Sequence, residues 1–99
     1  MIILTAKLTA KPGFEKTVED ALLAMIPNVQ NEENALQYAL HRVVNKPSTF
    51  LYYEQYADKK AFETHGNTVY FKELVAALDG KLVSAPEETF YDLIGSIDR

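Results

Sequence analysis

The sequence predicts an α+β fold of the ferredoxin-like type (βαββαβ), a four-stranded antiparallel sheet with its helices on one face. Alternating apolar residues and apolar residues at helical spacing follow one another in the order strand, helix, strand, strand, helix, strand. That order is the split βαβ arrangement, and right-handed crossovers would place both helical segments on the same face of the sheet. The 99 residues suit a single domain, residues 1–99.

The first strand and the first helix are marked by a change of period. Residues 2–10 alternate as in a strand, and Lys-Pro-Gly at residues 11–13 ends them. The next apolar residues are spaced as on one face of a helix, namely Phe14, Val18, Leu22, Met25 and Val29. Pro27 should kink or end this helix, because it lacks a backbone N–H and its ring clashes with the preceding turn.

Two strands then form a predicted hairpin. Residues 35–44 alternate, with Leu36, Tyr38 and Leu40 expected on one face, and a polar turn follows at residues 45–48. The next strand runs to residue 56. Four of its residues share one face, namely Phe50, Tyr52, Glu54 and Tyr56.

Glu54 lies in the middle of that apolar and aromatic row. A carboxylate there needs a partner, since burying an unpaired one is very costly. Asp58 is a suitable N-cap for a helix that would place Phe62 and His65 on one face. We therefore expect a hydrogen bond between Glu54 and His65. It would either orient His65 as a general base or tether helix to sheet.

Aromatic side chains should surround this pair, namely Tyr38, Phe50, Tyr52, Tyr56, Phe62 and Phe71. Such a row forms either a plain core or a pocket for a flat aromatic molecule. The hydroxyl groups favour the pocket, because buried phenols need partners or water.

The last third of the chain predicts one more helix and one more strand. The helix follows residues 66–68 and ends at Asp79-Gly80, with Phe71, Leu74, Val75 and Leu78 as its apolar face. A proline-containing connection over residues 81–88 leads to a strand over residues 89–94.

The sheet face without helices would carry an apolar patch of Ile3, Val43, Leu51, Tyr53, Tyr91 and Leu93. A patch of this kind usually marks an interface, so we expect a homodimer with the two sheets face to face. His41 lies on this face by strand parity, which favours an interface histidine over a catalytic one.

The composition excludes several classes of function. The net charge of −4 and the absence of basic clusters argue against nucleic-acid binding, and the absence of cysteine excludes disulfides and thiolate chemistry. The first residues lack the basic and long apolar segments of a signal peptide, and no apolar run is long enough to cross a membrane, so we expect a cytoplasmic protein. No residues have metal-ligand spacing and no glycine-rich phosphate loop occurs, so neither a metal nor a nucleotide cofactor is expected.

Taken together, residues 32–42 (EENALQYALHR), residues 50–56 (FLYYEQY), His65 and residues 68–71 (TVYF) give the chain a family resemblance. The chain resembles the antibiotic biosynthesis monooxygenase family of dimeric α+β-barrel proteins over essentially its whole length. It departs from the family pattern at three places. Asn34-Ala35 stands where a pair such as Pro-Gly is common, Tyr56 replaces a Trp, and Tyr70 replaces a second His.

The resemblance implies a cofactor-independent monooxygenase that oxidises a reduced aromatic such as a quinol or polyphenol with O2. His65 and Glu54 would be catalytic, and the substrate would contact Tyr38, Tyr52, Tyr56, Phe62, Tyr70 and Phe71. Haem-degrading relatives use an Asn on the first strand and a Trp, whereas Ala6 holds that position here and Trp is absent. The alternatives are an isomerase of a small carbonyl compound and a non-catalytic dimer that binds small aromatics.

Overall fold

The elements follow one another in the predicted order. The computed structural model describes residues 1–99. Its elements are β1 (Ile2–Thr9), α1 (Glu15–Leu23), α2 (Met25–Val29), β2 (Ala35–Arg42), β3 (Thr49–Tyr56), α3 (Lys59–Gly66), α4 (Val69–Leu78) and β4 (Glu87–Tyr91). The strands form one sheet in the order β2-β3-β1-β4, and all neighbouring pairs are antiparallel. The predicted α+β ferredoxin-like fold is confirmed.

The first helical segment breaks one turn before its proline. α1 ends at Leu23 and α2 begins at Met25, so the break lies at Ala24. Pro27 has no N–H to donate to the carbonyl of Leu23, and its ring would clash with that carbonyl. The predicted kink is confirmed, and its position follows from the i−4 partner of the proline.

A bulge changes the parity at the start of β2. Ala35 is in register with Tyr56, and Gln37 is in register with Gln55, so Leu36 is the extra residue. Its side chain is 53% exposed, and the prediction that Leu36 faces inward with Tyr38 was wrong. Ala35 packs against the core in its place.

β4 starts two residues earlier than predicted and ends three residues earlier. Its five residues pair with β1, from Lys7 opposite Glu87 to Ile3 opposite Tyr91. Leu93 therefore lies beyond the strand, in an exposed tail, and not on the sheet. The connection before β4 is held to β1 by a hydrogen bond from the Val83 amide to the Thr9 carbonyl, 2.8 Å long.

The core lies between the inner face of the sheet and the helices. Leu8 and Phe50 on the strands pack with Val18, Leu22 and Leu78 on the helices. On the outer face, Leu51 and Tyr53 are half-buried in the single chain, whereas Ile3 is only 8% exposed. Ile3 therefore contributes little to the predicted exposed patch, because its register partners Gln55 and Tyr91 flank it.

The longest helix, α4, has ten residues, and none of the helices has both the length and the apolar character that a membrane span requires.

Candidate functional site

A cavity of about 250 Å³ separates the inner face of the sheet from α3 and α4. Its walls come from every layer of the fold. They consist of Ala6, Leu8, Leu22, Tyr38, Tyr52, Glu54, Phe62, Glu63, His65, Gly66, Phe71, Leu74, Val75, Leu78, Pro86 and Glu88. The two predicted catalytic residues, Glu54 and His65, are thus brought to the same cavity, together with Tyr38, Tyr52, Phe62 and Phe71.

Glu54 is a buried carboxyl group, 5% exposed, that faces this cavity from β3. The Tyr56 hydroxyl donates a 2.7 Å hydrogen bond to its Oε1 atom, and no protein group donates to its Oε2 atom. Burial raises the pKa of Glu54 to about 7; the Tyr56 hydrogen bond opposes this shift, and the charges of Glu88 and Glu32 add to it. A carboxyl group with a pKa near neutrality can accept and release a proton at physiological pH.

The hydrogen bond predicted between Glu54 and His65 is wrong. His65 Nδ1 lies 3.0 Å from Oε2 and 3.2 Å from Oε1 of Glu32, a residue of the loop between α2 and β2. Glu54 has Tyr56 as its partner instead, because the two side chains lie two residues apart on the same face of β3. Both residues still line the cavity. The prediction therefore had the wrong hydrogen-bond partners, although it placed both side chains at the same site.

Glu32 is held on two sides. The Tyr70 hydroxyl of α4 donates a hydrogen bond to the same Oε2 atom that contacts His65. The loop itself is closed by hydrogen bonds from the Glu32 amide to the Val29 carbonyl and from the Ala35 amide to the Glu32 carbonyl. Glu32 is therefore a fixed partner for the imidazole.

This partner determines what His65 can do. A carboxylate only accepts hydrogen bonds, so His65 Nδ1 must carry a proton to bond to Glu32. In the neutral ring the other nitrogen, Nε2, then has a free lone pair and can act as a base. The ring is 97% buried and packs against Tyr38, Tyr56 and Phe71 at centroid distances of 5.2 to 5.5 Å.

The end of α3 presents His65 in this position for local reasons. Asp58 caps the helix, accepting a 2.8 Å hydrogen bond from the Ala61 amide, as predicted. Thr68 then caps α4, accepting from the Phe71 amide, and its hydroxyl donates to the His65 carbonyl at 2.9 Å. One threonine thus joins the two helices beside the imidazole.

The tyrosines divide into two groups. Tyr38 and Tyr52 line the cavity with their rings 4.5 Å apart, and burial raises the pKa of both phenols. The Tyr52 hydroxyl donates to the Leu22 carbonyl in the last turn of α1. Tyr56 and Tyr70 do not line the cavity, because their hydroxyls are directed to Glu54 and Glu32. In the structure these hydroxyls contact the two carboxyl groups, and the predicted contact of Tyr56 and Tyr70 with substrate stays a prediction.

Sequence reasoning missed Glu32 and Glu88 as site residues. Glu32 belongs to an acidic pair before the second strand, a position named in the family resemblance, but its loop gave no indication of direction. Glu88 was assigned to the connection before the last strand, whereas it lies in β4 opposite Ala6 and faces the cavity.

Comparisons with known proteins identify the family of the chain. The family model described as "Antibiotic biosynthesis monooxygenase" matches residues 1–77. The chain belongs to the antibiotic biosynthesis monooxygenase family. No curated protein matches the chain in a sequence comparison.

Solved structures extend the family likeness to the whole fold. PA3566 from Pseudomonas aeruginosa is 28% identical, with a TM-score of 0.90 over 95% of this chain and 94% of that one. An antibiotic biosynthesis monooxygenase family protein from Caulobacter crescentus is 29% identical, with a TM-score of 0.87 over 95% of this chain and 90% of that one. Rv0793 from Mycobacterium tuberculosis, at 16% identity, shares the fold with a TM-score of 0.90 over 98% of each chain. Membership of the antibiotic biosynthesis monooxygenase family supports a general monooxygenase-like function.

Proposed function

We propose that the protein is a monooxygenase that oxidises a reduced, quinol-like aromatic with O2, using no metal or organic cofactor. The observation that carries the proposal is the Glu54 carboxyl group. It has a pKa of about 7 and faces a cavity walled by Tyr38, Tyr52, Phe62 and Phe71. Family membership supports the reaction class.

In the proposed reaction a base in the cavity takes the phenolic proton of the substrate. Glu54 Oε2 and His65 Nε2 are the two candidate acceptors, and Tyr38 offers its hydroxyl group to a substrate oxygen, whereas the Tyr52 hydroxyl is donated to the Leu22 carbonyl and its ring contacts the substrate. The electron-rich phenolate passes one electron to O2, and the two radicals combine at a ring carbon that carries hydrogen, ortho or para to the oxygen. Loss of water from the hydroperoxide leaves a quinone, so that phenol and O2 yield quinone and H2O. Phe62 and Phe71 keep bulk water from the intermediates.

The test is oxygen uptake with a panel of reduced quinols and naphthols. We expect Glu54→Gln and His65→Ala to lower the rate by ~10²–10⁴-fold, the usual contribution of a general base. Tyr38→Phe should lower it less, because only one hydrogen bond to the substrate is lost. The melting temperature of each variant is measured on the same sample, so that loss of fold is separated from loss of chemistry. A wild-type protein that consumes no oxygen with any of these compounds contradicts the proposal.

A second candidate function is an isomerase of a small carbonyl compound. The same observation favours it, because a carboxyl group with a pKa of about 7 suits proton transfer at the carbon beside a carbonyl. Such an enzyme would exchange substrate protons with solvent deuterium and consume no oxygen, which distinguishes the two functions in one sample.

We also propose that the protein acts as a homodimer through the outer face of the sheet. Leu51 and Tyr53 are half-buried there in the single chain, Tyr91 is 48% exposed, and members of the family are commonly dimeric. Covering these side chains would remove apolar surface from water. Light scattering should give the mass of a dimer at micromolar concentration, and Leu51→Asp should shift it to that of a monomer. A wild-type monomer would contradict the proposal.

A further inference from the structure

The cavity wall contains three glutamates and no lysine or arginine, and its only basic side chain is His65. The glutamates among its sixteen residues are Glu54, Glu63 and Glu88. Glu54 is the buried member of the three, so its ionised form repels anions such as carboxylates and phosphates most strongly, whereas Glu63 and Glu88 are exposed and solvent screens their charges.

The negative charge of the wall is only partly compensated. The Glu63 Oε1 atom lies 3.9 Å from the Lys59 Nζ atom. Glu32, which does not line the cavity, is paired with His65. Glu54 and Glu88 have no cationic partner within the chain. Even a protonated His65 would be neutralised by Glu32, so the ionised form of Glu54 gives the cavity its negative sign, and the exposed Glu88 adds a weaker, solvent-screened charge.

Glu54 adds an observation that points to a ligand. Glu54 is only 5% exposed, and its Oε1 atom accepts a hydrogen bond from the Tyr56 hydroxyl. No protein group donates a hydrogen bond to its Oε2 atom. Every side-chain oxygen that is fully shielded from solvent does have a hydrogen bond, so Oε2 is not fully shielded. Oε2 is therefore open to the cavity and lacks a donor that a ligand can supply.

We propose that the preferred ligand of this cavity is a small aromatic molecule that carries a protonated amine, with its ammonium group directed to Glu54 and Glu88. This proposal rests on the proposed function, which supplies the reaction. The new claim is that the substrate carries a positive charge. The ammonium group supplies both the missing donor and the missing positive charge.

The other walls suit the rest of such a molecule. Tyr38, Tyr52, Phe62 and Phe71 present aromatic rings, which stack on a ligand ring and attract a cation to their faces. The volume of about 250 Å³ lies just below the usual range of ~300–1,000 Å³ for ligand pockets, so the ligand has a single ring and a short side chain.

The test compares three phenols that differ only at the end of one side chain. Tyramine carries an ammonium group, 4-propylphenol a methyl group and 3-(4-hydroxyphenyl)propionate a carboxylate. Their affinities are measured by isothermal titration calorimetry at about pH 8, where Glu54 is largely ionised. We expect tyramine to bind at least about tenfold more tightly than 4-propylphenol, and the propionate to bind more weakly than both.

Two variants and one control locate the preference. Glu54→Gln keeps the shape of the side chain and should reduce the preference for tyramine to about threefold or less, with Glu88→Gln giving a smaller reduction in the same direction. Glu87→Gln is the matched control, because Glu87 lies next to Glu88 in β4 but faces the other side of the sheet and pairs with Lys7. Its three affinities should equal those of the wild type.

Equal affinities for the three phenols, tighter binding of the propionate, or no tyramine binding at millimolar concentration would overturn the proposal. These phenols are compared by binding alone, so the result does not depend on turnover. Oxygen uptake with the matching catechols, dopamine and 4-propylcatechol, tests the proposed function separately. A charge preference without oxygen uptake would reject the monooxygenase and leave the ligand class standing.

Discussion

The inner face of the sheet has two ends that are built in opposite ways. At one end α1 and α2 pack with Phe50 through fully buried apolar side chains such as Val18 and Met25. At the other end α3 and the start of α4 cover Glu54 and His65, which face a cavity that extends to the edge of the packed core at Leu8 and Leu22. A single strand, β3, runs through both ends, from Phe50 to Tyr56.

The difference shows where stability and chemistry are placed. Apolar burial stabilises the packed end by roughly 1.5–3 kcal/mol for each large side chain. Burial of a carboxyl group has the opposite effect, and the same loss of solvation is the main cause of the raised pKa of Glu54. A core built only for stability would carry Leu or Val in place of Glu54. The polar end therefore gives up apolar packing at the position where the proposed chemistry takes place.

The largest expected effect lies at the packed end. Met25→Ala should lower the free energy of unfolding by ~2–5 kcal/mol, because it leaves a cavity beside α1 and α4. Leu23→Ala is the matched control: Leu23 lies two residues away and is 45% exposed, so its loss should be a fraction of that value. Urea denaturation measures both. Equal losses would mean that Met25 is not part of the packed core.

The second effect depends on pH. The pKa of Glu54 is raised from its ordinary value of 4.5 to about 7, so the folded state binds the proton more tightly than the unfolded state. The stability contributed by that proton is present in full below about pH 4.5 and is lost as the pH rises to about 7, a change of roughly 3 kcal/mol. Glu54→Gln should therefore be more stable than the wild type at pH 8, with the advantage shrinking toward pH 5. Melting temperatures of both proteins between pH 5 and pH 8 test this prediction. A difference between them that does not change with pH would contradict the raised pKa of Glu54.

The third effect concerns the partner of the imidazole. Glu32→Ala should cost ~1–3 kcal/mol, since it leaves the buried Nδ1 of His65 without an acceptor. Glu33→Ala is the control, because Glu33 is exposed and makes no side-chain hydrogen bond. In NMR, the ring nitrogens of His65 should report a protonated Nδ1 in the wild type and a mixture of tautomers in Glu32→Ala. An unchanged tautomer would show that Glu32 does not determine it.

The smallest effect belongs to the hydroxyl behind Glu32. Tyr70→Phe removes one hydrogen bond to a partly exposed carboxylate and should cost ~0.5–1.5 kcal/mol. In the Glu32→Ala background the same substitution should cost almost nothing, because its partner is already absent. Thermal unfolding of the four proteins gives the coupling, and additive losses would mean that Tyr70 acts elsewhere.

The local patterns of the sequence determined the framework of this protein. Period-two alternation placed Tyr52, Glu54 and Tyr56 on one face of β3, and the cap at Asp58 started the helix that presents His65. These features depend only on residues within one or two turns of each other, so the order of elements, the fold class and the cavity residues of β3 and α3 could be read without a structure.

Tertiary structure decided the partners. Glu32 lies 33 residues before His65 in a loop without periodicity, and only the docking of that loop against α3 and α4 brings the two together. The bulge at Leu36 and the shifted start of β4, which turns Glu88 into the cavity, likewise depend on pairing with neighbouring strands. Strand parity and helical periodicity predict the direction in which a side chain points from its own backbone. What it meets there depends on segments distant in the chain, which is why the sequence found Glu54 and His65 but paired them with each other.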